Sequence, residues 1–325
     1  MPLDPSTLVR TNLAGSLGFE RLGQRNFLGL IDMSHLWRSL LFVPANASRH
    51  LEKAHERGAD AIILDLEDAV ASDAKPQARA SIVPMAARLS GLGQDVVVRV
   101  NAGWLDLFAD LDVAVAQGIS ALMLPKIEDA ARLQVVSDIV GELEVQRGLP
   151  PGGIKLIALV ESPIGLEQLP AIASAPRVSA LALGPEDFAL ALGVPPTPDV
   201  LDLPCRMIAL AAASHGLAAI GVPMSLASFD NPEAYGTAAR RARGMGISGA
   251  LCIHPVQVHP VNQAFTPSPD EIAEAVTIWD VWCKSGKRGV VKLGRKMIDA
   301  PLALRAQRVL ESARRDEDTG SQASN

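Results

Sequence analysis

The sequence predicts a (β/α)8 TIM barrel that is extended by additional C-terminal helices. Two observations predict this fold: eight short apolar runs, and stretches with helical spacing of apolar residues between them. Alternating strands and helices are typical of parallel sheets, because a parallel neighbour requires a crossover connection. Eight such units in a chain of 325 residues favour a closed barrel. The alternative is an open doubly wound sheet, but no GxGxxG motif follows the first strand.

The apolar runs have the length of strands, and we expect the strands at 37–43, 59–67, 95–101, 120–126, 154–161, 178–184, 217–223 and 249–255. Several of the intervening stretches end on glycine, which is a common helix stop. Two further helices are predicted near 270–285 and 299–314. The predicted organisation is an N-terminal arm (1–36), the barrel (37–265), a helical extension that completes the site in an oligomer (266–314) and a disordered tail (315–325).

The composition argues against several classes of function. The net charge is −6 and no basic stripe exists, so nucleic acid and anionic membranes are not expected partners. The cysteines Cys205, Cys252 and Cys283 form no CxxC pair, which argues against a disulfide framework or a thiolate zinc site. The chain has neither a signal-peptide pattern nor an apolar run of about eighteen residues. We therefore expect a cytoplasmic protein without a transmembrane helix.

Polar residues follow nearly every predicted strand at its carboxyl end. They include Asp65, Glu67, Asp68, Arg99, Glu161, Glu186, Asp187 and His254. In a parallel barrel all these ends lie on one rim, which is where catalytic groups lie. Arg99 alternates with Val98 and Val100, so it points either into the barrel mouth or toward the helices, where an unpaired guanidinium would be costly.

Glu161 and Asp187 follow neighbouring predicted strands. Two converging carboxylates repel each other unless a cation lies between them, and oxygen ligands suit Mg²⁺, with Mn²⁺ as the near alternative. The competing interpretation places Glu186 and Asp187 in the first turn of a helix over "EDFALAL". With Arg99 on the same rim, the pair favours a metal site for a substrate that carries carboxylates. Such a site stabilises an enolate or a ketoacid, so we expect carbon–carbon bond making or breaking beside a carbonyl.

From about residue 37 to 314 the chain resembles the citrate lyase beta-subunit-like and malyl-CoA lyase-like enzymes. The resemblance rests on eight motifs in a fixed order: "RSLLFVPA", "EKAHERGADAIILDLEDAV", "VVVRVN", "LMLPKIE", "LIALVES", "ALGPEDFA", "LCIHPVQVHPVNQAFTPS" and "MIDAPLALRAQRVL". It implies small-molecule partners, an acyl-CoA and an oxoacid, and a homo-oligomer, either a trimer or a pair of trimers.

The resemblance also implies roles for individual residues. Arg99 would hold the oxoacid carboxylate, and Glu161 and Asp187 would be the magnesium ligands. Asp299, supplied by a neighbouring subunit, would be the catalytic acid/base. Further substrate or acyl-CoA contacts are predicted at Phe42, Lys53, Glu186, Ile253 and His254. The acids Asp65, Glu67 and Asp68 would order metal-bound waters.

Two positions depart from the family pattern. Ala47 stands where an arginine that grips the CoA phosphates is expected, with Arg49 two places on, and "IGVPMS" replaces the Asp-Gly that often follows strand seven. The expected activity is a magnesium-dependent lyase acting on a malyl- or citramalyl-type CoA thioester. Three alternatives stay open: an acyl-CoA thioesterase, a metal-dependent aldolase acting on free oxoacids, and a non-catalytic or carrier-dependent subunit of a larger lyase.

Overall fold

The computed structural model describes the backbone of residues 37–322 and the side chains of residues 37–314. Eight parallel strands correspond one for one to the eight predicted apolar runs. They are β1 (Ser39–Pro44), β2 (Ala61–Asp65), β3 (Asp95–Arg99), β4 (Ala121–Leu124), β5 (Lys155–Val160), β6 (Val178–Leu183), β7 (Ala218–Ile220) and β8 (Ala250–Cys252). The predicted arm at 1–36 lies outside the described residues.

The strands follow chain order around a barrel, with β8 returning to pair with β1. The seam between β7 and β8 is closed by a parallel bridge from Ile220 to Gly249 and by the Gly221 N–H, which donates to the Gly249 carbonyl at 2.9 Å. Gly249 is required here because an added Cβ would lie 1.9 Å from the Trp37 carbonyl oxygen. The predicted (β/α)8 barrel is confirmed.

The helices of the barrel unit lie between the strands, except the last one, which follows β8. They are α1 (Ser48–Glu52), α2 (Lys75–Gly91), α3 (Trp104–Ala114), α4 (Ala130–Gln146), α5 (Pro163–Glu167), α6 (Leu169–Ala173), α7 (Pro185–Leu192), α8 (Pro198–His215), α9 (Pro232–Met245) and α10 (Val258–Phe265). Short 3₁₀ turns lie at Ala54–Arg57, Ser72–Ala74 and Pro255–Gln257.

The barrel core explains why the strands are continuous apolar runs. Strands β2, β4, β7 and β8 are buried along their whole length. A strand that is covered by helices on one side and by the barrel interior on the other has no solvent face, so it shows no polar alternation. Charged side chains are therefore confined to the ends of the strands, with Asp95 and Lys155 at amino ends and Asp65 and Arg99 at carboxyl ends.

Residues 266–322 form a separate compact unit of α11 (Pro269–Lys284), β9 (Val291–Leu293), β10 (Lys296–Ile298) and α12 (Ala300–Gln322). Its two helices pack around Ile278, Trp282, Ile298 and Leu310. A reciprocal capping pair between Ser268 and Glu271 begins α11. The antiparallel β9–β10 hairpin was not predicted, because its strands are three residues long and only partly buried.

The sequence predicts a disordered tail from residue 315, but the backbone of α12 continues as a helix to Gln322. Residues 302–319 include no proline or glycine, and arginine, glutamate and aspartate permit a helix without demanding burial. Polarity alone therefore does not end the helix at 314. Across the described residues, none of the helices is both long enough and apolar enough to cross a bilayer.

Candidate active site

Arg99 and Asp65 form the most buried ion pair at the carboxyl rim. Their positions are paired directly in the β2–β3 register, so their side chains leave neighbouring strands at the same level. Arg99 Nε and Nη2 donate to the two Asp65 oxygens at 2.7 Å each, a bidentate arrangement. The Glu67 N–H also donates to Asp65 Oδ1, at 3.0 Å. Arg99 therefore points into the barrel mouth rather than toward the helices, where it would have lain unpaired.

Glu67 lies just beyond Asp65 and carries an incompletely satisfied charge. Its Oε2 is 2.8 Å from Arg99 Nη1 and its Oε1 is 3.3 Å from Lys126 Nζ. Both oxygens are buried, and neither has a well-aligned hydrogen bond to any residue that the structure describes. Burial raises the pKa of Glu67 above its usual value, while Arg99 lowers it and the exposed Asp68 raises it further. Glu67 therefore retains capacity to accept from a ligand or a water.

Phe42 completes the surroundings of the guanidinium. The Arg99 Cζ lies 4.8 Å from the centroid of the Phe42 ring, which is a cation–π contact. Phe42 is half-buried on β1. The structure thus places Phe42, predicted as a substrate contact, directly beside Arg99.

Glu161 follows β5 and is 6% exposed. Its Oε2 accepts from the Lys126 N–H at 2.8 Å. Burial raises the pKa of Glu161 to about 8, and the like charges of Glu67 and Asp187 add to this effect, while Lys126 and Arg99 oppose it. Within residues 37–314 no lysine or arginine forms an ion pair with Glu161. This carboxylate is thus strongly desolvated and lacks a direct counter-ion.

Gly184 creates the space that Glu161 occupies. A Cβ at position 184 would lie 2.5 Å from both Cγ and Oε1 of Glu161. The backbone of Gly184 is extended, so the glycine is needed for close approach rather than for a special torsion angle. The "ALGPED" stretch therefore supplies both the acids after β6 and the gap into which the neighbouring carboxylate fits.

Asp187 lies in the first turn of α7, as the competing sequence interpretation predicted, and is partly buried. It also raises the pKa of Glu161 and that of Lys126, so its charge acts on the same group of residues. The two interpretations of Asp187 are therefore compatible: the helix start positions the carboxylate near Glu161. Among the described residues no cluster of three or more His, Cys, Asp or Glu side chains is arranged to hold a metal.

A site with only two protein carboxylates fits a hard divalent cation. Magnesium characteristically takes one or two carboxylates and keeps waters or substrate oxygens for its other positions. The buried Glu161, with the neighbouring negative charge of Asp187, supplies this donor set, and the unsatisfied Glu67 oxygens can accept from coordinated water. The residues present therefore fit magnesium.

A buried polar network supports the loops that follow β2 and β3. Asp110 Oδ2 accepts from the N–H and the Nδ2 of Asn101 at 2.7 Å each, and Arg79 Nε donates to Asp110 Oδ1 at 2.7 Å. Asn101 Nδ2 also donates to the Leu66 carbonyl at 3.0 Å, and Lys75 Nζ contacts Asn101 Oδ1. Sequence reasoning missed this network. The only sequence signal for Asp110 is an acid at a position of α3 that faces the core.

Sequence reasoning also assigned no role to Lys126, which follows β4. The structure gives it one backbone contact and two charged contacts with the acids of the rim. Its φ of 53° is left-handed, an uncommon conformation for a residue other than glycine, asparagine or aspartate. No periodicity in the sequence reveals this conformation.

Glu186, which the sequence predicts as a substrate contact, makes hydrogen bonds within the protein. Its Oε1 accepts from Ser225 Oγ at 2.6 Å and from the Leu226 N–H at 2.8 Å. It therefore ties the start of α7 to the loop that follows β7. Its role toward substrate stays a prediction.

The remaining predicted contacts lie on exposed surface of the rim or its loops. His254 accepts from the Val256 N–H through Nδ1 at 3.2 Å, which leaves Nε2 as the outward nitrogen. Its ring stacks on Phe229 with centroids 4.9 Å apart. Ile253 is 41% exposed, and Lys53 is exposed at the end of α1. These positions are accessible to a ligand.

Asp299 lies in the C-terminal unit, immediately before α12. Its Oδ1 accepts from the Leu302 N–H at 3.1 Å, which is the contact of a helix N-cap. The side chain is partly exposed. Its predicted part in proton transfer stays a prediction.

Comparisons with known proteins agree with this geometry. Residues 38–255 match the model of the HpcH/HpaI aldolase/citrate lyase family. Citrate lyase subunit beta of Haemophilus influenzae is 32% identical, over 86% of this chain and 97% of that protein. A (3S)-malyl-CoA thioesterase of Cereibacter sphaeroides is 34% identical, over 75% of this chain and 82% of that protein.

Among solved structures, the protein CitE from Mycobacterium tuberculosis, in complex with magnesium, acetoacetate and coenzyme A, superimposes with a TM-score of 0.67 and 29% identity. The match covers 85% of this chain and 97% of that one. The family match spans most of the barrel, including every strand and every acid of the rim described above. On this evidence the chain belongs to the HpcH/HpaI aldolase/citrate lyase family.

Proposed function

We propose that this protein is a magnesium-dependent carbon–carbon lyase. Its substrate would be a 3-hydroxyacyl-CoA thioester of the malyl or citramalyl type, cleaved to or formed from an acyl-CoA and an oxoacid. Manganese is the alternative metal. We further propose that the enzyme acts in the cytoplasm as a homo-oligomer, a trimer or a pair of trimers.

The observation that carries the proposal is the division of charge across one rim. Arg99 is held by Asp65 and Glu67, while Glu161 beside Asp187 has no direct counter-ion. A cation bound by Glu161 and Asp187 would therefore lie on the same rim as a fixed guanidinium. This arrangement suits a dianionic oxoacid, since one group recognises a carboxylate and the other an adjacent oxygen.

The protein's own residues have separable parts in the reaction. Arg99 would bind the carboxylate of the oxoacid portion, with Phe42 and Asp65 fixing its orientation. Glu161 and Asp187 would hold magnesium, which would supply Lewis-acid stabilisation of the oxygens of the oxoacid portion. The outward Nε2 of His254 and the exposed Ile253 would contact the thioester portion at the opposite part of the rim.

Asp299 is proposed as the acid that protonates the carbon of the thioester enolate after cleavage. In the synthetic direction the same carboxylate would remove a proton from the methyl group of an acetyl thioester. The partly exposed carboxylate at the start of α12 is free to exchange its helix-cap contact for a proton-transfer role. A neighbouring copy of the chain would supply it.

A thioesterase is the second candidate, and the 34% identity to a (3S)-malyl-CoA thioesterase favours it specifically. The two activities share enolate-forming residues and differ in whether water completes thioester cleavage. The third candidate, an aldolase on free oxoacids, is supported by Ala47, which cannot bind a CoA phosphate.

The test is a product assay of the full chain with magnesium and malyl-CoA or citramalyl-CoA. The lyase predicts acetyl-CoA together with glyoxylate or pyruvate, in equal amounts. Free CoA together with the free hydroxyacid would instead identify a thioesterase. An oxoacid aldolase would turn over substrates without CoA, and added free CoA would leave its rate unchanged. No turnover of any of these substrates by the purified oligomer would favour a carrier-dependent subunit.

A further inference from the structure

None of the roles proposed above uses Lys126, although this residue contacts three acids of the rim. Its backbone N–H donates to Glu161 Oε2 at 2.8 Å. Its Nζ lies 3.3 Å from Glu67 Oε1 and 4.0 Å from Asp68 Oδ1. One residue therefore links the carboxylate after β5 to the two carboxylates after β2.

The backbone around Lys126 fixes this arrangement. Strand β4 ends at Leu124, and the Ile127 N–H donates to the Leu159 carbonyl at 3.1 Å, so pairing with β5 resumes directly after Lys126. Between these points Lys126 adopts a left-handed conformation with φ of 53°. A non-glycine residue in this region persists only where its surroundings hold it, and such residues concentrate at functional sites.

The charge environment identifies what the ammonium does. Partial burial lowers the pKa of Lys126, but Glu67, Asp68 and Asp187 together outweigh this effect and raise it. The side chain is 46% exposed, so it can leave the acids without crossing the protein interior. The ammonium is thus both strongly attracted by these acids and able to move.

We propose that the Lys126 ammonium, which pairs with Glu67 and Asp68, lowers the affinity of the neighbouring Glu161–Asp187 site for a divalent cation by electrostatic repulsion. This inference rests on the proposed metal site and deepens it. Binding of a divalent cation would bring two positive charges close to the Lys126 ammonium. The protein would then either hold the cation less tightly or turn the ammonium outward, toward an anionic substrate. Lys126 would therefore act on metal binding through its charge.

The test is isothermal titration of Mg²⁺ alone into the purified full chain and into Lys126→Met. Replacing the ammonium with a neutral side chain of similar length should tighten Mg²⁺ binding about tenfold at low ionic strength, because the repulsion between an ammonium and a dication is removed. The gain should shrink as salt is added, because exposed charges are screened. Lys126→Asn, whose side chain tolerates left-handed backbone, should behave like Lys126→Met.

Two control variants distinguish the effect of the Lys126 charge from a loss of local structure. Lys126→Arg keeps the charge and should bind Mg²⁺ as wild type does. Lys155→Met removes a lysine at the other end of the β5 strand, where Nζ contacts only the Gly152 carbonyl among described residues, and should change nothing. A purely structural role for Lys126 predicts weaker binding in both neutral variants, because it would loosen Glu161.

Equal or weaker Mg²⁺ binding by Lys126→Met and Lys126→Asn, with wild type still binding, would overturn this inference and leave the metal site intact. Failure of the wild-type chain to bind Mg²⁺ would overturn the proposed function itself, and this inference with it. Thermal unfolding without metal gives a second readout. The neutral variants should melt at lower temperature than wild type without Mg²⁺ and recover more than wild type when Mg²⁺ is added.

Discussion

The two halves of the carboxyl rim contain the same type of residue in opposite electrostatic situations. On the arginine side, defined as Asp65, Glu67 and Arg99, buried carboxylates face a guanidinium at 2.7–2.8 Å. On the acidic side, defined as Glu161 and Asp187, buried negative charge has no ion-pair partner among the described residues. The comparison teaches that burial of a strand-end acid does not by itself identify a ligand. The proposed metal site therefore rests on the missing counter-ion of Glu161.

The fold explains why both halves exist side by side. Parallel strands deliver their first polar residues to the same rim, so β2, β3, β5 and β6 contribute neighbouring charges. On the arginine side the guanidinium has charged partners within the chain, and these ion pairs fix its position. The acidic side is costly to keep charged until a cation arrives. The following predictions break one side at a time.

Arg99→Met should have the largest effect on stability. It leaves Asp65 and Glu67 buried without their main counter-ion, and breaking a buried pair from one side costs about 3–5 kcal/mol. Urea unfolding monitored by circular dichroism should show the loss in metal-free protein. Arg88→Met is the matched control: this arginine lies on exposed α2 and donates to one backbone carbonyl, of Glu52. Equal stability of the two variants would contradict the paired description of the arginine side.

Glu161→Gln should change stability in the opposite direction to Arg99→Met. The amide keeps an acceptor for the Lys126 N–H but carries no charge, so the metal-free protein should gain about 3–4 kcal/mol at neutral pH. The same variant should lose the stabilisation that Mg²⁺ gives to wild type. A variant less stable than wild type in the absence of metal would show that Glu161 is satisfied within the protein.

The pH dependence of this difference follows from the raised pKa of Glu161, which is about 8 in the folded protein. The unfolded carboxyl titrates near 4.3, so the folded state holds a proton that the unfolded state releases between these values. Wild type should therefore lose stability relative to Glu161→Gln as pH rises from about 4.5 to 8, and the difference should level off above 8. Matched unfolding curves at pH 5 and pH 8 measure it. A constant difference would contradict the burial of an uncompensated carboxyl.

Gly184→Ala should lower the affinity for Mg²⁺ more than it lowers the stability of the fold. The added methyl group meets the Glu161 side chain at 2.5 Å, and Glu161 can move only by abandoning its position. We expect Mg²⁺ affinity to fall by about tenfold or more with a stability loss of about 1 kcal/mol. Gly103→Ala is the control, because a Cβ at that glycine meets nothing within 4 Å. Unchanged Mg²⁺ binding by Gly184→Ala would show that Glu161 is not a ligand.

Glu186→Gln should have the smallest effect. This exposed side chain holds Ser225 and Leu226, so its neutralisation weakens one loop attachment by less than about 1 kcal/mol. Mg²⁺ affinity should be unchanged in isothermal titration. A large loss of Mg²⁺ binding would move Glu186 into the acidic side and enlarge the metal site.

The sequence predicted much of the fold because buried strands appear in it as apolar runs. Every barrel strand contains an uninterrupted apolar run of at least three residues. Strand alternation left two directions open for Arg99, of which the costly burial of an unpaired guanidinium disfavoured one, and the structure shows the other. Long-range electrostatics leaves no such pattern. The Asn101–Asp110–Arg79 network, the left-handed Lys126 and the attachment of Glu186 to Ser225 depend on approaches between distant segments. The three-residue strands of the C-terminal hairpin are too short to show a period.

The most direct test of the account is Mg²⁺ binding to wild type and to the double variant Glu161→Gln, Asp187→Asn, measured by isothermal titration. Both proteins keep the arginine side unchanged, so only the acidic side is compared. The account predicts that wild type binds one Mg²⁺ and is stabilised by it, while the double variant shows no binding. Equal Mg²⁺ binding by both proteins, or none by wild type, would contradict it.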